Sequence, residues 1–249
     1  MAGNASTPGV TVAQRLLSVV GAFDDRHRAL TLTELAQRSG LAVPTAHRLV
    51  GEMVAGGALE RRPDGRYVVG RLLWSAGLLA PVRGRLTQVA EPFLNDVYAA
   101  TLATVHLAVR DGDQVLYLQR IAGRASVPIV STVGSRLPMH CTGVGKVLLA
   151  HAPRDVQDRV FRSLLKVTPK TITSPRILSV QLERVRREGI ASTAEEMSAG
   201  ACSLAVPVVQ SSDNAVAAAI GVVVPTLKRD RQRLIGALQV AAGGIGRLL

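Results

Sequence analysis

The chain has 249 residues, 47% of them hydrophobic, which is enough for two packed domains and too apolar for a disordered protein. Aromatic residues make up only 3%, which argues against a nucleic-acid surface built from stacked rings. The formal net charge of +12 permits DNA binding, but residues 1–80 hold only nine basic against six acidic residues, so the positive charge is not concentrated there.

Signals for export, membranes and metals are missing from the sequence. No apolar run approaches the roughly 20 residues of a membrane helix, and the first residues lack the pattern of a secretion signal. Cys141 and Cys202 do not have the spacing of a zinc site or a disulfide scaffold. We therefore expect a cytoplasmic protein with no metal, no cofactor and no membrane partner.

Two short helices are predicted first. The stretches Thr11–Gln14 and Thr31–Glu34 have the form of capping boxes, and apolar residues follow each at helical spacing. Asp24-Asp25 is predicted to end the first helix. Gly40 is predicted to end the second, because glycine adopts a left-handed conformation without steric cost.

A third helix and a basic hairpin complete the first domain. Pro44 lies in the first turn of the helix, and Leu59–Arg62 and Arg66–Val69 flank the turn Pro63-Asp64-Gly65. Helix, turn, helix and basic hairpin in this order predict a winged helix-turn-helix, whose second helix enters the DNA major groove. The candidate DNA-binding residues are Thr33, Pro44, Thr45, His47, Arg48, Arg61, Arg62 and Arg66.

The rest of the chain is predicted to be a linker helix and a second, α+β domain. We place the DNA-binding domain at residues 1–70, the linker helix at 71–82, with Trp74 as an anchor, and the second domain at 83–249. Strands and helices interleave with hairpins, which indicates an antiparallel or mixed sheet. Its predicted helices are 86–97, 174–188 (ended by Gly189) and one from about 227, and its predicted strands are 105–109, 115–119, 127–132, 203–209 and 215–224.

The most informative stretch of the second domain is Gly134–Lys146, GSRLPMHCTGVGK. It predicts a loop that leads into a helix whose first residues include Gly143 and Gly145. Such a helix start exposes backbone N–H groups, which suit a carboxylate. A phosphate-binding loop is excluded, because His140 and Val147 stand where that motif requires glycine and a hydroxyl residue.

Other interpretations of this region stay open. The helix start could serve packing alone, with His140 satisfied locally. A nucleophile–base pair of His140 and Cys141 is disfavoured, because adjacent residues rarely share a productive hydrogen bond and no acidic residue stands nearby to orient the histidine. We predict no catalytic residues. The alternatives are redox sensing through Cys141 or Cys202, and an enzyme with a DNA-binding appendage.

Several separated segments resemble the isocitrate lyase regulator (IclR) family of bacterial transcription factors. They are LTLTELAQRSGLAVPTAHRLV, RRPDGRYVVG, GSRLPMHCTGVGKVLLA, TITSP and GACSLAVPV, in that order along almost the whole chain. The resemblance implies an amino-terminal winged helix-turn-helix and a GAF-like α/β effector-binding domain. It also implies a homodimer or tetramer that binds double-stranded operator DNA and responds to a small-molecule effector.

The resemblance places effector contacts in the same region as the helix-start argument. Pro44 departs from the small polar residue frequent in the family, which removes a possible phosphate contact. Gly221 and Val223 replace serines found in members that bind very small oxoacids, so we expect an aromatic or branched carboxylic acid. The candidate effector-binding residues are Met139, His140, Cys141, Thr142, Gly143, Val144, Gly200, Ser203, Leu204, Gly221 and Val223.

Overall fold

The computed structural model describes residues 10–24, 27–79, 84–123, 127, 130–228 and 230–249. The chain divides into two compact units, one within residues 1–81 and one within residues 82–249. The predicted boundary near residues 80–83 lies outside the described residues. No helix in the described ranges is both long enough and apolar enough to cross a bilayer.

The first unit is a small helical bundle followed by a hairpin. Both predicted capping boxes are present, and Gly40 ends the second helix with a φ of 68°. The first helix ends at Val20, capped by Gly21, so the prediction that Asp24-Asp25 ends it was wrong; Asp25 lies outside the described residues. The elements are α1 (Val12–Val20), α2 (Leu32–Ser39), α3 (Val43–Ala55), β1 (Leu59–Arg61), β2 (Tyr67–Val69) and α4 (Arg71–Leu78).

The hairpin of β1 and β2 is fixed to the helices by its second strand. Tyr67 exchanges backbone hydrogen bonds with Leu30, two residues before α2, at 2.7 and 3.0 Å. Its ring is buried with the apolar sides of α1, α2 and α3. α4 then begins directly after the hairpin, within the predicted linker. Trp74 on α4 is 60% exposed, and its role as an anchor between the domains stays a prediction.

The second unit contains an antiparallel sheet in the order β5-β4-β3-β8-β7-β6. Helices α5 and α9 cover one face, and α6, α7 and α8 cover the other. The elements are α5 (Arg85–Thr101), β3 (Thr104–Asp111), β4 (Gln114–Ile121), β5 (Arg136–Pro138), α6 (Gly143–Ala150), α7 (Arg154–Arg162), α8 (Pro175–Glu188), β6 (Ala191–Ala194), β7 (Cys202–Val209), β8 (Val216–Val224) and α9 (Arg231–Leu248).

Three features of this unit differ from the prediction. Val127 and residues 130–132 are not in a strand, and residues 128–129 lie outside the described residues. The predicted loop before α6 contains the edge strand β5. The short strand β6 and the helix α7 were not predicted, because a three- or four-residue edge strand and a mostly charged helix leave little apolar pattern.

A β-bulge between β3 and β4 changes which side chains of β4 face the α6 side of the sheet. Tyr117 pairs with Ala108, but Gln119 pairs with Leu107, so Leu118 is the extra residue. Leu118 and Gln119 therefore share one face, and Tyr117 and Arg120 share the other.

Candidate functional site

The outer face of α3 carries four of the eight predicted DNA-binding residues. Pro44, His47 and Arg48 are exposed and Thr45 is half-buried, while the opposite face of the helix packs into the core. Arg48 Nη1 donates to Glu52 Oε1 at 2.6 Å. Both side chains of this pair are more than half exposed, and such pairs contribute about 1 kcal/mol or less to stability. A phosphate or base of DNA can therefore replace Glu52 as the partner of the Arg48 guanidinium.

The basic residues of the wing differ in how firmly they are held. Arg66 Nη1 donates to the carbonyl of Ala29 at 3.1 Å and lies 3.5 Å from Glu34 Oε2, so it joins the hairpin to the start of α2. The Arg61 guanidinium stacks on the Tyr67 ring. Arg62 is exposed on the hairpin and Thr33 is exposed on α2.

A cavity in the second unit brings together most of the predicted effector-binding residues. It encloses about 490 Å³, including its open mouth, between the sheet and the start of α6. Of the predicted residues, those lining the cavity are Cys141, Thr142, Gly143, Val144, Ser203, Leu204, Gly221 and Val223.

The other predicted effector residues lie elsewhere. The Met139 side chain is fully buried in the core beneath α6. His140 does not line the cavity, and its Nε2 lies 2.9 Å from the carbonyl oxygen of Leu165. Gly200 does not line the cavity; it has a φ of 71°, and its N–H donates to Glu195 Oε2.

The start of α6 supplies backbone donors at the cavity. The Thr142 hydroxyl caps the helix by accepting from the N–H of Gly145, and the first regular bond runs from Lys146 N–H to the carbonyl of Thr142. The N–H groups of Gly143 and Val144 precede that bond, and both residues line the cavity. This arrangement suits an oxygen atom of a ligand.

The start of α6 packs very closely on the sheet. A Cβ atom at Gly143 would lie 2.6 Å from Ser203 Oγ, and a Cβ atom at Gly221 would lie 2.8 Å from the carbonyl oxygen of Leu204. Ser203 Oγ is itself 2.6 Å from Thr193 Oγ1 on the neighbouring strand. Glycine is therefore required at both positions for this approach of helix and strands.

Sequence reasoning missed the polar wall that β3 and β4 contribute. The ring of His106 lies edge-on to Tyr117, with centroids 5.0 Å apart, and His106 Nε2 is 2.9 Å from Ser131 Oγ. Burial, and secondarily the charge of Arg120, lowers the pKa of His106 to about 3, so the ring is neutral. A histidine at an inward-facing position of an otherwise apolar strand was the available signal.

Cys141 is poorly suited to redox sensing. Its thiol is buried and lies 3.5 Å from the sulfur of Met197. Burial raises the pKa of Cys141 to about 12, so the reactive thiolate is not populated near neutral pH. Cys202 is half-buried on β7, and neither cysteine is in a disulfide.

A buried ion pair connects α6 to the segment that follows β6 and lines the cavity. Lys146 Nζ donates to both carboxylate oxygens of Glu196, at 2.7 and 2.8 Å, and to Gln181 Oε1 at 2.7 Å. Lys146 and Glu196 are 1% and 5% exposed. The residues after Glu196 include Met197 and Ser198, which line the cavity.

The described residues contain no group of three or more His, Cys, Asp or Glu side chains that could hold a metal ion.

Two family models match the chain. The IclR helix-turn-helix domain matches residues 12–63, and the bacterial transcriptional regulator IclR C-terminal domain matches residues 82–247.

Known regulators and solved structures are similar to most of the chain. The transcriptional regulator BhcR of Paracoccus denitrificans is 34% identical, over 82% of this chain and 74% of BhcR. The p-hydroxybenzoate hydroxylase transcriptional activator of Acinetobacter baylyi is 30% identical, over 81% and 77%. The structure of an IclR homolog from Microbacterium hydrocarbonoxydans, complexed with 4-hydroxybenzoate, is 34% identical with a TM-score of 0.89, over 95% and 98%.

Proposed function

This chain belongs to the IclR family of bacterial transcriptional regulators, and we propose that an aromatic acid in the cavity controls its binding to operator DNA. The cavity is the observation that carries this proposal. Its apolar side chains can bury a ligand, and the backbone donors at the start of α6 together with the polar side chains of β3 and β4 can orient it.

Two observations favour an aromatic acid over a very small oxoacid. The cavity wall is largely apolar, with Leu137, Val144 and Leu204 in it. A homolog of 34% identity has been crystallised with 4-hydroxybenzoate. Benzoates with one or two ring hydroxyls are therefore the first compounds to test.

The proposed control couples two equilibria of the same protein, the binding of the effector and the binding of operator DNA. A homodimer places two copies of α3 on half-sites about one helical turn, or a multiple of it, apart. A ligand that binds one arrangement of the dimer more tightly shifts the population toward it, and α4 carries the change to α3. The sign of the response depends on which arrangement fits the operator.

Arg48→Ala tests the DNA-binding half of this proposal. The operator is first selected from random duplexes by the wild-type protein, and affinities are then measured by gel shift. Loss of a base or phosphate contact at each half-site is expected to weaken binding about 10-fold or more. Arg176→Ala, an exposed arginine on α8, is the charge-matched control. Equal operator affinity for Arg48→Ala and wild type would remove Arg48 from the reading surface.

A thermal-shift screen tests the effector half. A ligand at 100 times its Kd stabilises the folded protein by about 2.7 kcal/mol through mass action. Hydroxybenzoates are expected to raise the unfolding midpoint, and operator affinity should change at the same concentrations. Stabilisation by none of these acids would overturn the proposed effector class without affecting the DNA-binding proposal.

A further inference from the structure

His106 is a buried polar side chain that hydrogen-bonds through only one of its two ring nitrogens. The residue is 3% exposed and lines the cavity, and its Nε2 lies 2.9 Å from the hydroxyl oxygen of Ser131. Its Nδ1 has no partner among the residues that the structure describes. Because buried polar atoms are almost always hydrogen-bonded, a free imidazole nitrogen in the wall of a cavity indicates an absent partner.

The free nitrogen can be reached from the cavity. Three buried side-chain atoms in the described part of the chain have neither a partner nor access to water, and His106 Nδ1 is not one of them. Ser131, the partner of the other nitrogen, lines the same cavity and is 4% exposed. A molecule in the cavity can therefore approach Nδ1 while Ser131 holds the ring in place.

Other polar side chains of the wall are hydrogen-bonded within the protein. Thr193 Oγ1 and Ser203 Oγ are 2.6 Å apart. The Thr142 hydroxyl donates to the carbonyl of Pro138 at 3.2 Å and caps α6. His106 Nδ1 is thus a polar atom that a ligand can engage without breaking an existing hydrogen bond.

The neutral ring of His106 suits a hydroxyl group. Burial lowers the pKa of His106 to about 3, so near pH 7 the ring has one N–H group and one bare nitrogen. If the Ser131 hydroxyl donates to Nε2, Nδ1 carries the hydrogen and donates; if Nε2 donates to Ser131, Nδ1 accepts. A ring hydroxyl of a ligand can accept or donate and completes either arrangement, whereas a carboxylate only accepts and completes one of them.

The start of α6 lies beside His106 on the same side of the sheet. His106 pairs with Gly221 in the ladder of β3 and β8, and a Cβ atom at Gly221 would lie 3.0 Å from Val144 Cγ1. The free N–H groups of Gly143 and Val144 favour an anion at the helix start. The cavity therefore has one part suited to a carboxylate and a neutral part suited to a hydroxyl.

We propose that His106, held in position by Ser131, binds a ring hydroxyl of the aromatic acid and makes the cavity selective for hydroxylated benzoates over benzoate itself. This inference rests on the function proposed above and deepens it, because it assigns the hydroxyl to His106 and leaves the carboxylate to the start of α6. His106 then determines specificity, and Ser131 is a positioning residue. A site built to hydrogen-bond a hydroxyl rejects the analogue that lacks it, because the buried partner stays unpaired.

The test compares hydroxylated acids with their unsubstituted parent in the full-length protein. Benzoate, 3-hydroxybenzoate and 4-hydroxybenzoate are titrated by calorimetry into wild type, His106→Phe and Ser131→Ala. Wild type is expected to bind at least one hydroxybenzoate about 10- to 100-fold more tightly than benzoate. His106→Phe should abolish that preference by weakening only the hydroxylated acid, and Ser131→Ala should lose part of it.

Two further variants separate recognition from folding. His106→Asn keeps a polar atom close to the position of Nδ1 and should retain part of the preference. His151→Phe removes an exposed histidine at the other end of α6, bonded only to Val147 of its own helix, and it should leave all three affinities unchanged. The unfolding midpoint of each variant is measured without ligand, and if His106→Phe does not fold, His106→Asn and Ser131→Ala decide the comparison.

Each other outcome overturns a specific statement. A preference that persists in His106→Phe places the hydroxyl elsewhere in the cavity and overturns this inference alone, as does a wild type that binds benzoate as tightly as the hydroxybenzoates. Equal weakening of all three acids in His106→Phe would mean that His106 only shapes the cavity or faces the carboxylate. If wild type binds none of the acids, the proposed effector class fails, and this inference fails with it.

Discussion

Lys146→Met removes one partner of the buried pair between α6 and the segment that follows β6 and lines the cavity. Glu196 then stays 5% exposed without its counter-charge, and breaking a buried pair in this way costs about 3–5 kcal/mol. At about 2–4 °C per kcal/mol for a unit of this size, the unfolding midpoint of the second unit should fall by roughly 6–20 °C. Scanning calorimetry of the full chain measures that fall.

The cost of burying the charges of Lys146 and Glu196 determines how a second substitution and a change of pH should alter stability. Burial is the largest influence on both groups, raising the pKa of Glu196 and lowering the pKa of Lys146. Replacing both residues by apolar ones should therefore restore most of the loss, as Lys146→Met with Glu196→Leu. In Lys146→Met alone, the unpaired carboxyl can take up a proton, so the defect should shrink at pH 5. A single variant within about 1 °C of wild type, or a double variant worse than the single, would refute this reasoning.

Three further predictions follow from the cavity. Gly143→Val puts its Cβ atom on Ser203, so calorimetry should show binding of 4-hydroxybenzoate weakened more than about 10-fold, with operator binding retained; Gly236→Val, at an open position of α9, is the control. The pKa of His106 is lowered to about 3 in the folded protein, so below pH 6.5 the unfolded chain binds a proton that the folded protein does not bind. Between pH 7.5 and pH 5, the free energy of unfolding of wild type should therefore fall by about 2 kcal/mol more than that of His106→Gln. Urea unfolding at the two pH values measures this difference. Cys141, with its pKa raised to about 12, should resist alkylation in the folded protein, and peroxide should leave operator affinity unchanged; rapid labelling of Cys141 would restore the redox alternative.

Local sequence signals predicted much of the fold. The family, the two-domain α+β class and the regulatory function are confirmed by the family models and relatives. The capping boxes and the φ of Gly40 follow from interactions within a few residues, which a sequence displays directly. The strand predicted at 127–132 failed because an apolar run alone does not supply a pairing partner.

The cavity was only partly accessible to such reasoning. Cys141 and Val144 were candidates because they stand next to the glycines at the start of α6. His106 and Tyr117 could not be identified in the same way, because their meeting depends on the register of β3 with β4 and on one extra residue in that ladder. The strand register is set by packing across the whole sheet rather than by neighbouring residues.

The attachment of the wing to α2 has a consequence for how this protein meets DNA. Because Arg66 holds Ala29 and Tyr67 pairs with Leu30, the hairpin is ordered when the first unit folds and loses little conformational freedom on contact with the duplex. Preorganisation of this kind favours rapid, nearly rigid docking. Glu34 also offsets part of the charge of Arg66. Arg61 and Arg62 should therefore account for most of the counterion release at the wing, and for most of the salt dependence that the wing adds to DNA binding.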